Sequence, residues 1–121
     1  MFDLEPDEAR LLLNIALMAT GRNRFQSAAK LLDVLERFRP DQASVAVSKT
    51  ILKISTMDFQ GAIDYVDQVA HPKFPDSAML LAFKGMALIR LARKDEAIRT
   101  LAEAAASEDT AAANLAKDLM N

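Results

Sequence analysis

The sequence predicts an all-α chain of about seven helices, folded as a single domain over residues 1–121. Three observations carry that expectation. Apolar residues recur at three- and four-residue steps almost everywhere, while the strict alternation of a half-buried strand never lasts. Glycine and proline cut the chain into segments of roughly 10 to 18 residues, an ordinary helix length. An apolar content of 51% in 121 residues is ample for a core, and the absence of cysteine leaves that core to stand without disulfides.

The first helix is expected to start near Pro6, which suits the first helical position, and to end at Thr20-Gly21, with Gly21 as the residue past the helix end. A second runs from about Phe25 to Phe38 and is stopped by Pro40. Asp41 is expected to cap a third that reaches about Thr56, and a fourth runs from about Phe59 to Ala70. The segment HPKFPDS, holding Pro72 and Pro75, is the longest break; Asp76 or Ser77 then caps a fifth helix ending near Ala92. A sixth spans about Asp95 to Ala106 and a seventh about Asp109 to Met120.

Charge and composition exclude several function classes. A net charge of −2 without a basic cluster gives no reason to expect nucleic acid or an anionic membrane as a partner. No stretch reaches the roughly 18 apolar residues of a membrane span, and MFDLEPDEAR lacks the basic start and long apolar run of a secretion signal, so a cytoplasmic location is expected. His71, the only histidine, stands beside Pro72 and reads as an exposed loop residue rather than a catalytic base. Gly21, Gly61 and Gly85 are too scattered to cradle a phosphate. No His, Cys or carboxylate cluster has metal-ligand spacing, and Asp33/Arg37 and Lys94/Glu96 read as solvated surface pairs. The chain is therefore expected to be no enzyme, with no catalytic residue, cofactor or metal.

A repeat runs through the chain. FQSAAKLL (25–32) and FQGAIDYV (59–66) place Ala28 and Ala62 34 residues apart, and Ala97 in RKDEAIRTL follows 35 later. Four and seven residues beyond each alanine stand Leu32 and Leu35, Val66 and Val69, Leu101 and Ala104, so each trio shares one helix face. Twelve residues before the alanines stand Ala16, Thr50 and Gly85, all small enough for two helices to cross closely. The extra residue of the third copy is assigned to the HPKFPDS break.

In these features the chain resembles the tetratricopeptide (TPR) repeat, a helix-turn-helix unit of 34 residues. Pro40, twelve residues after Ala28, also matches. The departures are the absence of tryptophan, Lys94 where Phe25 and Phe59 stand in the other copies, and Lys53 at a position the motif keeps apolar. The resemblance covers residues 9 to about 111 and implies an α-solenoid of three TPR-like repeats with a C-terminal capping helix. In that family the first helices line a concave groove and the second helices face outward.

Each first helix here carries two apolar stripes. One, such as Leu12-Ala16-Ala19 or Leu81-Gly85-Leu88, points at the second helix of the same repeat. The other is Leu13, Leu17 and Thr20, then Val47, Ile51 and Ile54, then Ala82, Met86 and Ile89. A second stripe at one phase in all three implies a second apolar contact. Two uses fit it: core closed over by a terminal helix, or a groove for an amphipathic helix of a partner. Arg10 and Arg90 are the only basic candidates at the rim, too few for the carboxylate clamp of TPR domains that bind acidic peptide tails.

The stretches ALMATGRNRFQSAAKLL and KISTMDFQGAI, in a chain this short, further resemble the small TPR-fold chaperones of the needle subunit in bacterial type III secretion. That resemblance implies a chaperone whose groove holds the amphipathic helix of a small helical client, with a second small co-chaperone as a possible partner. By it, the contact residues are Leu13, Leu17, Val47, Ile51, Ile54, Met86 and Ile89. The alternative is a TPR scaffold that joins a larger assembly or a homodimer.

Overall fold

The computed structural model describes residues 4–121, and the described residues are all-α with no strand. Seven helices follow one another: α1 (Pro6–Gly21), α2 (Phe25–Phe38), α3 (Ala43–Ser55), α4 (59–73), α5 (Ala78–Arg90), α6 (Lys94–Ala105) and α7 (Thr110–Met120). Links of three residues join α1 to α2, α3 to α4 and α5 to α6, whereas links of four join α2 to α3, α4 to α5 and α6 to α7. Links this short turn each helix back on its predecessor, giving three hairpins and a final helix. The second helix of each hairpin packs on the first helix of the next, and α1, α3 and α5 also touch in succession.

Local chemistry explains the helix starts. Pro6 opens α1 where its missing N–H is not needed, and a capping box closes the end: Glu8 Oε1 accepts from the Glu5 N–H at 3.1 Å, and the Glu5 carboxylate returns the bond. Asp58 caps α4 by accepting from the Gly61 N–H at 2.9 Å, and Asp109 caps α7 by accepting from the Ala112 N–H at 3.2 Å. The expected cap at Asp41 is not made. Gln42 holds the position before α3, and neither it nor Ser77, which precedes α5, makes a side-chain cap bond.

All three hairpin turns have one geometry. Asn23, Met57 and Ala92 adopt the left-handed conformation, with φ of 62°, 64° and 59°. Around them the N–H groups of Arg24, Asp58 and Arg93 reach back to the carbonyls of Ala19, Lys53 and Leu88 at 2.8, 2.8 and 3.0 Å. The N–H groups of Asn23, Met57 and Ala92 reach Thr20, Ile54 and Ile89 at 3.1, 2.9 and 2.9 Å. This paired bonding is the Schellman closure, which satisfies carbonyls a helix end leaves orphaned. Gly21 does not take the left-handed position expected of it: it is the last residue of α1, and no glycine has positive φ among the described residues.

The fourth helix corrects the sequence expectation in two respects. It continues past Ala70 to Lys73, so the break shrinks to 74–77 and His71 lies on the helix, partly buried, rather than in an exposed loop. The extra residue of the third copy does not sit in that break, because the links 39–42 and 74–77 are equally long. It sits inside α4 as a π-turn over Val66–Ala70, in which the His71 N–H bonds the Val66 carbonyl five residues back. The wider turn has a cause in Pro72, whose ring would press on the carbonyl four residues earlier in an unbroken α-helix. It also changes which side chain faces inward. Ala70 is buried where Val69 was expected, and Val69 is exposed.

The core forms in layers between hairpins. Leu4, Ala16, Leu32, Leu35 and Val45 make the first cluster; Ala46, Val66, Ala70 and Leu80 lie between the second hairpin and α5. Ala62, Ile63, Ala87, Leu88 and Ala97 make another, and α7 closes the last by setting Ala116 against Ala82, Leu101 and Ala104. Burying leucines such as Leu32, Leu80, Leu88 and Leu101 stabilises by about 1.5–3 kcal/mol each before chain entropy is counted. The small residues Ala16, Thr50 and Gly85 are buried as expected, and Thr50 stays satisfied by donating to the Ala46 carbonyl at 2.9 Å.

Two stability predictions follow from these contacts. A Cβ added at Gly85 would occupy the space of the Leu101 isobutyl group. Gly85→Ala is therefore expected to lower the unfolding free energy by about 1–3 kcal/mol in urea denaturation, despite alanine's better helix propensity. Met57 is 67% exposed and left-handed, so Met57→Gly removes backbone strain without opening a cavity. It is expected to raise the urea midpoint by a stabilisation of about 0.5–1 kcal/mol.

Candidate functional site

The seven residues singled out for partner contact lie on α1, α3 and α5, the three helices that touch in succession. Leu17 and Ile89 are the most open, at 37% and 38% exposure. Leu13, Val47, Ile51, Ile54 and Met86 are half-buried. Leu13 packs against the first core cluster, Val47 against the cluster of Ala46, Val66, Ala70 and Leu80, and Ile54 against that of Ala62, Ile63, Ala87, Leu88 and Ala97. Two further members of the same stripes are sealed: Thr20 donates its hydroxyl to the Ala16 carbonyl at 2.9 Å, and Ala82 is covered together with Ala116 of α7.

The question of core or contact face thus has a graded answer. Leu13, Val47 and Ile54 pack on the layers beneath and still keep part of their surface open to solvent. Leu13 borders a cavity of about 250 Å³ that it shares with Pro6, Arg10, Leu35, Arg39 and Val45. Of the other six, Leu17 and Ile89 are exposed and Val47, Ile51, Ile54 and Met86 are half-buried. Of the two rim arginines, Arg10 borders that cavity, while Arg90 stacks its guanidinium over the Phe59 ring at 4.9 Å. Arg90 is thereby held against the turn into α4.

The polar chemistry of the chain sits elsewhere, between hairpins. Lys49 on α3 donates to Asp33 and Glu36 of α2 at 3.0 and 2.9 Å. One repeat later Lys84 on α5 pairs with Asp67 of α4 at 2.7 Å. Asp33 and Asp67 are 34 residues apart and Lys49 and Lys84 are 35 apart, so this is one bridge made twice, with Asp67 inside the π-turn and the extra residue between it and Lys84. It was missed in the sequence because Asp33 was paired with Arg37 on its own helix. Glu96 likewise bonds Arg93 at 2.6 Å rather than Lys94. The signal available was the recurrence of Asp and Lys at the repeat period.

Burial lowers the Lys49 pKa, but its hydrogen bonds to Glu36 and Asp33 and their negative charge outweigh that and leave it raised. Tyr65, whose hydroxyl donates to Glu36 at 3.5 Å, is pushed up to about 12 by burial and by the Glu36 charge, with Lys49 opposing. Lys53 lies over the Tyr65 ring at 5.9 Å from its centre. No group of three or more His, Asp or Glu residues that could hold a metal occurs among the described residues, and no described helix is long and apolar enough to cross a membrane.

Tyr65 is the only tyrosine in the chain, so its titration is read directly by ultraviolet absorbance. The folded state holds the phenolic proton more tightly than the unfolded state, whose tyrosine ionises near pH 10. Its effect on stability is therefore absent below about pH 10 and becomes destabilising as pH rises from there towards 12. At about pH 10.5 the folded protein is expected to show neutral tyrosine and the urea-unfolded protein mostly phenolate; equal spectra would contradict the assignment.

No family model matches this chain, and neither a curated protein nor a solved structure matches it.

Proposed function

We propose that the protein is a non-catalytic chaperone of TPR-like architecture that holds an amphipathic helix of a small client against the open apolar face of α1, α3 and α5. The observation that carries this reading is the phase of that face. Leu17, Ile51 and Met86 stand at one register of three successive first helices, and each stays partly open to solvent although those helices already pack on their neighbours. A partner helix laid across them would gain apolar burial without requiring the core to open. Met86 suits such a surface because its flexible thioether adapts to the side chains of a client.

The resemblance to the type III secretion needle-subunit chaperones supplies the client class: a filament subunit whose assembly helix is apolar because it must pack against its own copies. Covering that helix blocks premature polymerisation. The chemistry required is burial and release, which agrees with a face of aliphatic side chains. On this reading the chaperone acts in the cytoplasm before export, with a second small helical protein as co-chaperone.

Co-expression with a small helical protein encoded beside it tests the proposal. A monodisperse heterocomplex is the expected product, and indifference of a well-behaved chain to such neighbours would count against it. Leu17→Asp combined with Ile89→Asp places two charges in the contact at the most open positions of the face. Client capture is expected to weaken at least 100-fold, about 3 kcal/mol, while the circular dichroism spectrum is retained. Loss of helicity instead would show that the face belongs to the core.

A further inference from the structure

We propose that the outer face of α1 is a homodimer interface, in which two copies pair antiparallel across a two-fold axis passing between Asn14 and Ile15. The first observation is that this face is covered everywhere else in the molecule. Leu11 corresponds by the repeat to Val45 and Leu80, and Met18 to Leu52 and Ala87. Val45 and Leu80 are buried by the second helix of the preceding hairpin, Val45 with Leu32 and Leu35 of α2, Leu80 with Val66 and Ala70 of α4. Leu11, Ile15 and Met18 of α1 have no such cover among the described residues and stand 60%, 42% and 57% exposed. The chain entering α1 is held on another side, where Leu4 is buried in the core and its carbonyl accepts from Arg39 Nη1 at 3.2 Å.

The second observation selects the occupant. Asp7, Leu11, Ile15, Met18 and Arg22 fall on one stripe, at steps of four, four, three and four residues. That stripe begins with an acid, ends with a base and is apolar between them. Laid antiparallel on itself, it sets Leu11 against Met18 of the second copy, brings the two Ile15 side chains together at the axis, and sets Asp7 against Arg22 at both ends. A two-fold contact demands such self-complementarity, and the charges oppose the parallel arrangement. Among the described residues neither Asp7 nor Arg22 forms an ion pair within its own chain. Beside Met18 lies a cavity of about 290 Å³, lined also by Ile15, Ser27 and Leu31, into which Leu11 of the second copy can insert.

The stripe is about 22 Å long and one helix wide, which places the contact at the small end of protein interfaces and the dimer in the micromolar range. This face is separate from the one proposed to hold the client, so either assignment can fail alone.

Sedimentation equilibrium of the full chain tests the pairing. A monomer–dimer equilibrium with a dissociation constant on the order of 10–100 µM is expected, and Ile15→Asp should raise it at least tenfold with the circular dichroism spectrum unchanged. Asp7→Arg and Arg22→Asp should each weaken self-association, whereas a mixture of those two proteins should recover the dimer, since each then complements the other. Leu17→Asp with Ile89→Asp should leave dimerisation as it was. A chain monomeric at about 500 µM would overturn the proposal. So would a dimer indifferent to Ile15→Asp, a mixture that fails to recover it, or Ile15→Asp abolishing capture of a different protein instead.

Discussion

The structure depends on two helices of each hairpin crossing at close range over small side chains. At the third hairpin the crossing is tight enough that a single methyl on Gly85 would displace Leu101. Ala16 and Thr50 stand at the corresponding positions and are likewise buried. Close packing brings the backbone of one helix within reach of the leucine layer of the other, so dispersion and burial act together where a bulkier residue would hold them apart. The Schellman turns at Asn23, Met57 and Ala92 lead into the second helix with the same backbone bonding each time. Turn and crossing specify each other: the turn sets the approach, and the small residue permits it.

From that unit the rest follows by stacking. The second helix of one hairpin must cover the first helix of the next, and two devices hold it there: aliphatic layers such as Leu32, Leu35 and Val45, and the twice-made bridge from Asp33 to Lys49 and from Asp67 to Lys84. The bridge contributes more to register than to stability, because its carboxylates remain open to water. On α1, Ile15 stands at the position that Lys49 and Lys84 hold on α3 and α5, so that face is apolar where the other two are ionic. Helix α7 covers Ala82 and Leu101 and presents polar residues such as Asn114, Lys117 and Asp118 outward.

The π-turn in α4 shows how such a stack absorbs an irregularity. An inserted residue in an α-helix rotates everything beyond it by about 100°, which would turn the end of α4 away from its layer. Confining the insertion to one wide turn restores the phase within five residues, so that Ala70, not Val69, meets Val66 and Leu80. The cost falls on an exposed surface, where Val69 is pushed out to solvent.

By itself the sequence determined the helix count, the repeat period, the buried positions at Ala16, Thr50, Gly85, Ala28, Ala62 and Ala97, and the phase of the second apolar stripe. All of these depend on periodicity, and periodicity is local. Tertiary structure alone decided what depends on distances between helices or on the path of the backbone. It moved the extra residue from a proline-rich link into α4, because hydrogen-bond register cannot be read from composition. It gave the left-handed positions to Asn23, Met57 and Ala92 instead of Gly21, because the bonding of the turn fixes them and residue preference does not. It paired Asp33 with Lys49 of the next helix rather than with Arg37 of its own, and it left the second stripe buried at Thr20 and Ala82 but exposed at Leu17 and Ile89, since only the neighbouring helices determine how much of a side chain is left for water.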